Sequence, residues 1–155
     1  MNIFYLDKIP KQCARYHNDK HVVKMVLETT QLLCGVHWFM GGTAPYKQTH
    51  INHPCSIWAR TNKENYNWLC YLGIELCFEY KRRYQKVHKC YDIIIWCFHN
   101  PPKLPNGNFF DPPMAMPNEY KIVNDTVLSY RNYYMKEKHS FSTWKNTDTP
   151  DWFKV

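Results

Sequence analysis

Helical periodicity dominates the chain after Pro10, a residue whose fixed φ suits the first turn of a helix. The pattern predicts one continuous helix from about Lys11 to Cys34, with Gly35 near its end. From residue 22 onward most of its positions are apolar or small, namely Val22, Val23, Met25, Val26, Leu27, Leu32 and Leu33. A surface helix usually has a broad polar face, so we expect this helix to be central and largely buried.

The ionisable positions of this helix form a single narrow stripe. At about 100° per residue, one line along the helix collects His17, His21, Lys24, Glu28 and Gln31. A thin polar line on a buried cylinder predicts that this side looks into a cleft, and two histidines favour that interpretation. The alternative is a solvent-exposed strip, in which Lys24 and Glu28 form an i,i+4 ion pair.

Later segments carry their own start and stop signals. Pro54 predicts a helix start that continues to Arg60, and the spacing of apolar residues predicts a longer helix from Asn62 to about Tyr84. A shorter helix is expected over Tyr91–Phe98, and a last one from Asp125 to about Lys138.

Residues 101–117 contain six prolines and predict a wrapping loop. The sequence therefore predicts an all-α fold. We expect one compact helical domain over residues 1–155, built around the long first helix.

Composition narrows the class of protein. Hydrophobic residues make up 45 % and charged residues 21 % of the chain, which excludes a disordered chain and a coiled coil. The apolar run Ile93–Phe98 is far shorter than a bilayer span, and the first seven residues lack the features of a signal peptide. We therefore expect an intracellular protein with no membrane partner.

The seven cysteines are odd in number and scattered, without the close spacing of a zinc motif. Reduced, buried thiols fit this pattern, so we expect no disulfide, no metal and no cofactor.

The net charge of +7, together with 17 % aromatic residues, points to an anionic partner. Cations bind phosphates and aromatic rings stack on bases, so DNA or a nucleotide is the expected ligand. The dense basic segment around Arg82 and Arg83 is the candidate phosphate-binding patch.

A second cluster of candidate residues lies in the segment Thr49–Arg60. His50 and His53 precede the helix start at Pro54, where free backbone N–H groups favour anions, and Trp58 and Arg60 follow. We predict that this cluster forms a second wall of the cleft. Four histidines on two segments also leave a histidine-based metal hydrolase open as a further alternative.

Four segments carry a resemblance that spans almost the whole chain: Asp19–Met25, Thr49–Arg60, Ala115–Lys121 and Tyr130–Tyr134. They resemble a group of small phage and bacterial proteins and, more distantly, the pyrimidine-dimer DNA glycosylases of the endonuclease V type. That resemblance implies a compact helical enzyme whose N-terminal α-amine attacks the deoxyribose C1′, assisted by a glutamate on the first helix. The likeness to phage proteins also implies action inside an infected host cell as one interpretation.

The chain differs from that pattern at two positions. Asn2 is too large for efficient removal of Met1, and the position aligned with the family's glutamate is His21. We therefore predict Glu28 or His21 as the acid/base and Lys24 as the electrophile or Schiff-base nucleophile.

The predicted function is that of a DNA glycosylase and abasic-site lyase acting at one nucleotide. The alternative is a non-catalytic module that binds a nucleotide or nucleic acid in the same cleft. For binding the phosphate or base, the sequence nominates His17, His50, His53, Trp58, Arg60, Arg82 and Arg83.

Overall fold

The computed structural model describes residues 1–154, and over that range the chain is helical without a β-strand. The six α-helices are α1 (Pro10–Tyr16), α2 (Asp19–Phe39), α3 (Pro54–Ala59), α4 (Lys63–Tyr84), α5 (Tyr91–His99) and α6 (Thr126–Glu137). Two short 3₁₀-helices cover Asn118–Tyr120 and His139–Phe141. The predicted all-α class is confirmed.

The predicted long first helix is wrong in one respect, because it is two helices. His17 takes an extended backbone conformation and ends α1, and Asn18 caps α2 by accepting a hydrogen bond from the His21 backbone N–H at 2.8 Å. Asparagine is among the best N-cap residues, which favours a new start at this point. At its other end α2 runs past Cys34 and Gly35 as far as Phe39.

The later helices begin where their capping residues predict. Asn62 caps α4 and Asp125 caps α6, each through its side chain. His53 does the same for α3, since its Nδ1 accepts a hydrogen bond from the Cys55 N–H at 3.0 Å. These caps fix where the predicted second cluster of histidines sits relative to α3.

The centre of the molecule lies where α4 packs against α1, α2 and α5. Gly73 allows α4 to pack closely against α2 and α5. A Cβ at this position would lie 3.1 Å from Thr29 Cγ2 of α2 and 3.2 Å from Ile94 of α5. More than half of the residues of α2 are buried, as predicted for a central helix.

The first residues of the chain run through the core as an extended segment. Ile3, Phe4, Tyr5 and Leu6 are all buried, and the Tyr5 hydroxyl donates to Asp111 of the proline-rich segment at 2.8 Å. The amino terminus therefore lies beside α2. None of the helices between residues 1 and 154 combines the length and apolar character that a membrane crossing needs.

Candidate active site

The amino terminus meets a buried carboxylate on α2. The Met1 amine lies 3.3 Å from Glu28 Oε1, and the backbone N–H of Asn2 donates to the same oxygen at 3.0 Å. The side chain of Met1 is only 3 % exposed and that of Glu28 only 11 %, so the pair sits at the edge of the interior. In this arrangement the carboxylate is placed to take up a proton from the amine.

Lys24 approaches the same carboxylate from solvent. Its Nζ lies 3.8 Å from Glu28 Oε2, one helical turn away, while its side chain is 70 % exposed. The predicted i,i+4 pair therefore exists, and it closes one side of the amine site. Glu28 thus presents one oxygen to the α-amine and the other to a lysine.

His53 lies near this group of charges. Burial lowers its pKa; the positive charges of the Met1 amine and His50 lower it further, and Glu28 opposes them. Its Nδ1 is occupied as the cap of α3, which leaves Nε2 as the free nitrogen of the ring. The structure thus joins Lys24, Glu28 and His53, three of the predicted site residues, at the amino terminus.

Asn2 is held by the second half of the chain. Its side-chain amide donates to the Ala115 carbonyl at 3.0 Å, and its Oδ1 lies 3.1 Å from the hydroxyl of Tyr130 on α6. Cys55 also approaches Oδ1, at 3.9 Å, but burial raises the pKa of this thiol to about 12. A thiol with so high a pKa is protonated at neutral pH and is a poor nucleophile.

His17 and His21 do not line an open cleft as the sequence predicts. His17 is fully buried, and its Nδ1 lies 2.7 Å from the Cys13 carbonyl. His21 stacks on Phe4 with ring centroids 4.2 Å apart, and its Nδ1 lies 2.6 Å from the Tyr134 hydroxyl. Burial lowers the pKa of His17 to about 4 and that of His21 to about 3. Both are neutral parts of the core at physiological pH.

The stripe of α2 that is open to solvent is rotated relative to the predicted one. Its exposed or half-buried positions are Lys20, Val23, Lys24, Leu27, Gln31, Gly35 and Trp38, with Glu28 at its border. The extended amino-terminal segment covers the side on which His21 lies, because Phe4 packs on that ring.

Arg83 also differs from its prediction as a phosphate-binding residue. Its side chain is 0 % exposed and forms ion pairs with Asp19 at 3.1 Å and Glu79 at 3.0 Å. A guanidinium enclosed in this way cannot reach a phosphate, so its role is structural. Its neighbour Arg82 is half-exposed and pairs with Glu79 at 2.7 Å. Arg82 thus remains on the surface.

The remaining predicted binding residues lie around α3. His50 is exposed and takes a left-handed backbone conformation. Arg60 stacks on Phe39 at 3.9 Å and donates to the Ile51 carbonyl. Trp58 is buried and donates to the Phe110 carbonyl at 2.9 Å.

Two surface cavities help to place the site. A groove of about 520 Å³ lies between α1 and α4, where Lys11, Arg15 and Arg82 are among its lining residues. Glu75, Phe78 and Glu79 complete its lining, which includes neither Met1 nor Glu28. A smaller apolar cavity of about 300 Å³ is lined by Pro54, Ile57, Trp58, Thr61, Phe110, Asp111 and Pro113. It adjoins the amine site, because Pro54 follows His53 and the Pro113 carbonyl bonds the same tyrosine that holds Asn2.

The described part of the chain contains no cluster of side chains suited to bind a metal ion. No group of three His, Cys, Asp or Glu side chains within residues 1–154 lies close enough to hold an ion. All seven cysteines are buried free thiols.

Sequence reasoning missed the amino terminus itself, together with Asn2 and Tyr130. The resemblance held the signal, since it implied an α-amine beside a helical glutamate. The sequence aligns that glutamate with His21, whereas the carboxylate beside the amine is that of Glu28, two turns later. The position of the amine beside Glu28 depends on the path of residues 1–9 along α2, which helical periodicity does not specify.

Comparison with known proteins identifies the family of this chain. Residues 1–92 match the family model of pyrimidine dimer DNA glycosylases, and the chain belongs to that family. DNA is the partner that this membership implies. No curated protein and no solved structure matches the chain.

Proposed function

We propose that this protein is a DNA glycosylase and abasic-site lyase in which the Met1 α-amine is the nucleophile and Glu28 the acid/base. The observation that carries the proposal is the amine held 3.3 Å from a buried carboxylate at the amino-terminal end of the family match. Lys24 was the nucleophile nominated by the sequence, and it remains the competing amine.

The general chemistry of amines favours the α-amine over Lys24. Only an unprotonated amine attacks, and α-amines as a class have a pKa of about 8, against about 10.4 for lysine side chains. Burial and cationic neighbours further activate amine nucleophiles. The Met1 side chain is buried, with Lys24 across the shared carboxylate, whereas Lys24 itself is exposed to water.

The proposed first step exchanges one bond at C1′ for another. The amine nitrogen forms a bond to C1′, the bond from C1′ to the base breaks, and its electron pair leaves with the base, which takes up a proton. Glu28 accepts a proton from the nitrogen and then donates it to O4′ as the C1′–O4′ bond opens, which gives the Schiff base. Loss of a C2′ proton expels the 3′-phosphate in the lyase step.

Neighbouring residues suit the binding of one nucleotide. We propose that Lys24 and His53 contact the phosphate or the leaving base, and that the apolar cavity beside Pro54 and Trp58 receives a base. The half-exposed Arg82 is proposed to contact the DNA backbone farther from the reaction.

Borohydride trapping tests the proposal directly. Purified protein is incubated with duplex DNA that contains one pyrimidine dimer or one abasic site, and borohydride reduces any Schiff base to a stable cross-link. Tryptic mapping then locates the DNA: an adduct on the α-amine lies in the peptide ending at Lys8, whereas an adduct on Lys24 blocks cleavage after Lys24. We expect the first result.

Matched glutamate variants check the role of the carboxylate. Glu28→Gln should slow trapping by roughly 10²–10⁴-fold while DNA affinity persists, and Glu64→Gln on the exposed start of α4 should behave as the wild type. An adduct on Lys24 would transfer the nucleophile to that residue. Salt-sensitive DNA binding without any adduct would favour the non-catalytic binding module instead.

A further inference from the structure

We propose that Asn2 is a positioning residue for the attacking amine, and that the chain beyond the family match supplies its socket. This inference rests on the proposed function and names the parts that orient its nucleophile. The socket consists of the Tyr130 hydroxyl and the backbone of residues 113–115, all outside residues 1–92.

The Asn2 side chain is hydrogen-bonded through both of its polar atoms. Its nitrogen donates to the Ala115 carbonyl at 3.0 Å, while its oxygen accepts from the Ile3 backbone N–H at 2.7 Å and faces the Tyr130 hydroxyl at 3.1 Å. An amide held at both ends has one orientation. The backbone nitrogen of the same residue is thereby fixed on Glu28.

Tyr130 is a rigid partner for this amide. Its side chain is fully buried, and burial raises the pKa of its hydroxyl, which therefore keeps its proton. That proton is shared between the Pro113 carbonyl at 2.6 Å and Asn2 Oδ1, while the hydroxyl oxygen accepts from the Ala115 N–H at 3.1 Å. One hydroxyl thus joins α6, the proline-rich segment and the amino terminus.

The amine itself would otherwise be loose. A chain terminus normally samples many conformations, and fixing one residue costs about 1–2 kcal/mol of backbone entropy. Here the buried Met1 side chain anchors one side of the terminus and the Asn2 socket anchors the other, so the amine is held at Glu28 before substrate binds. Prior orientation of this kind accelerates attack, and an error of about 1 Å can cost about 10²-fold in rate.

Tyr130→Phe tests the socket by removing a single oxygen, and Tyr66→Phe is its matched control. Tyr66 is equally buried and its hydroxyl donates to the Cys97 carbonyl at 2.8 Å, but it belongs to the contact between α4 and α5. Both variants should lose similar stability. Only Tyr130→Phe should slow borohydride trapping at saturating DNA, by roughly ten- to a hundred-fold, with the Kd for DNA unchanged.

A second readout does not depend on turnover. Acylation of the α-amine by acetic anhydride, followed in the tryptic peptide ending at Lys8, should speed up in Tyr130→Phe because the amine leaves the carboxylate. Asn2→Asp should act similarly, since it replaces the amide N–H by an oxygen facing the Ala115 carbonyl. Intact mass must confirm that Met1 is retained in every variant.

The outcomes separate this inference from the proposed function. A folded Tyr130→Phe protein with wild-type trapping and acylation would overturn the positioning role while leaving the glycosylase proposal standing. A wild type that is never trapped would refute the proposed function. In that case the acylation rates alone decide whether the socket holds the amine.

Discussion

Arg83 shows how a residue of unmistakable charge can serve the interior. Each of its five guanidinium N–H bonds has an acceptor: the carboxylates of Glu79 and Asp19 and the carbonyls of Arg15 and His17. It therefore satisfies the backbone at the break between α1 and α2 from its position on α4. Its neighbour Arg82 shares Glu79 but lies at the surface.

Replacing Arg83 by Met should lower the free energy of unfolding by about 3–5 kcal/mol, because two carboxylates and two carbonyls lose a buried partner. Arg82→Met should cost less than about 1 kcal/mol, since exposed ion pairs contribute little. Urea unfolding of both variants measures the difference. Equal losses would show that Arg83 is not the structural residue described above.

The same pair of variants carries the test of DNA binding. If Arg82 contacts phosphate, its substitution should weaken binding to all sequences alike and flatten the dependence on salt by about one unit. An unchanged salt slope would remove Arg82 from the binding surface.

The sequence could predict that Lys24 pairs with Glu28, but it could not predict that His17 and His21 are buried. Lys24 and Glu28 are one turn apart, so their pairing follows from helical geometry alone. His21 lies two turns before Glu28 at nearly the same angular position, yet Phe4 and Tyr134 cover it, and His17 lies outside α2 altogether. Only the path of distant segments decides which side of a helix stays open, and periodicity contains no record of that path.

At the scale of elements, local signals predicted most helix bounds. Pro54, Asn62 and Asp125 mark the starts of α3, α4 and α6 because proline and capping side chains act within one turn. The break before α2 escaped prediction, since Asn18 lies inside an otherwise continuous helical pattern. Its capping role depends on the chain direction at His17, which tertiary contacts set.

Two glycines in helix interiors should respond in opposite ways to alanine. A Cβ added at Gly35 would meet only open space, so Gly35→Ala should stabilise the protein by about 0.5–1 kcal/mol. Gly73→Ala places a methyl 3.1–3.2 Å from Thr29 and Ile94, where α2, α4 and α5 converge. It should be at least about 1 kcal/mol less stable than Gly35→Ala in thermal or urea unfolding.

That comparison isolates packing, because both substitutions give the same gain in helix propensity. If the two variants were equally stabilised, α5 would have to shift freely away from α4. The close contact at Gly73 would then not be a constraint on the fold.

At the scale of the whole molecule, the part outside the family match is built into the core. Ile94, Leu104, Met116, Tyr130 and Trp144 are all buried. The same region holds Asn2 and Tyr5 by hydrogen bonds. The family match therefore ends well before the fold does.

A fragment of residues 1–92 should consequently fail to fold. It would expose the apolar surface that the later segments cover, and the amino terminus would lose its socket. Circular dichroism during heating should show no cooperative transition, whereas the full-length chain should show one. A cooperative transition in the fragment would mean that residues 93–155 only decorate a self-sufficient core.

The seven buried thiols can report on local unfolding of the protein. A thiol reagent reaches such a sulfur only when the surrounding structure opens, so the rate of modification counts openings. The sulfurs are distributed over α1 to α5, from Cys13 to Cys97, including the start of α3 beside Asn2. The rate at which each cysteine is modified should therefore measure how often the helix that carries it opens.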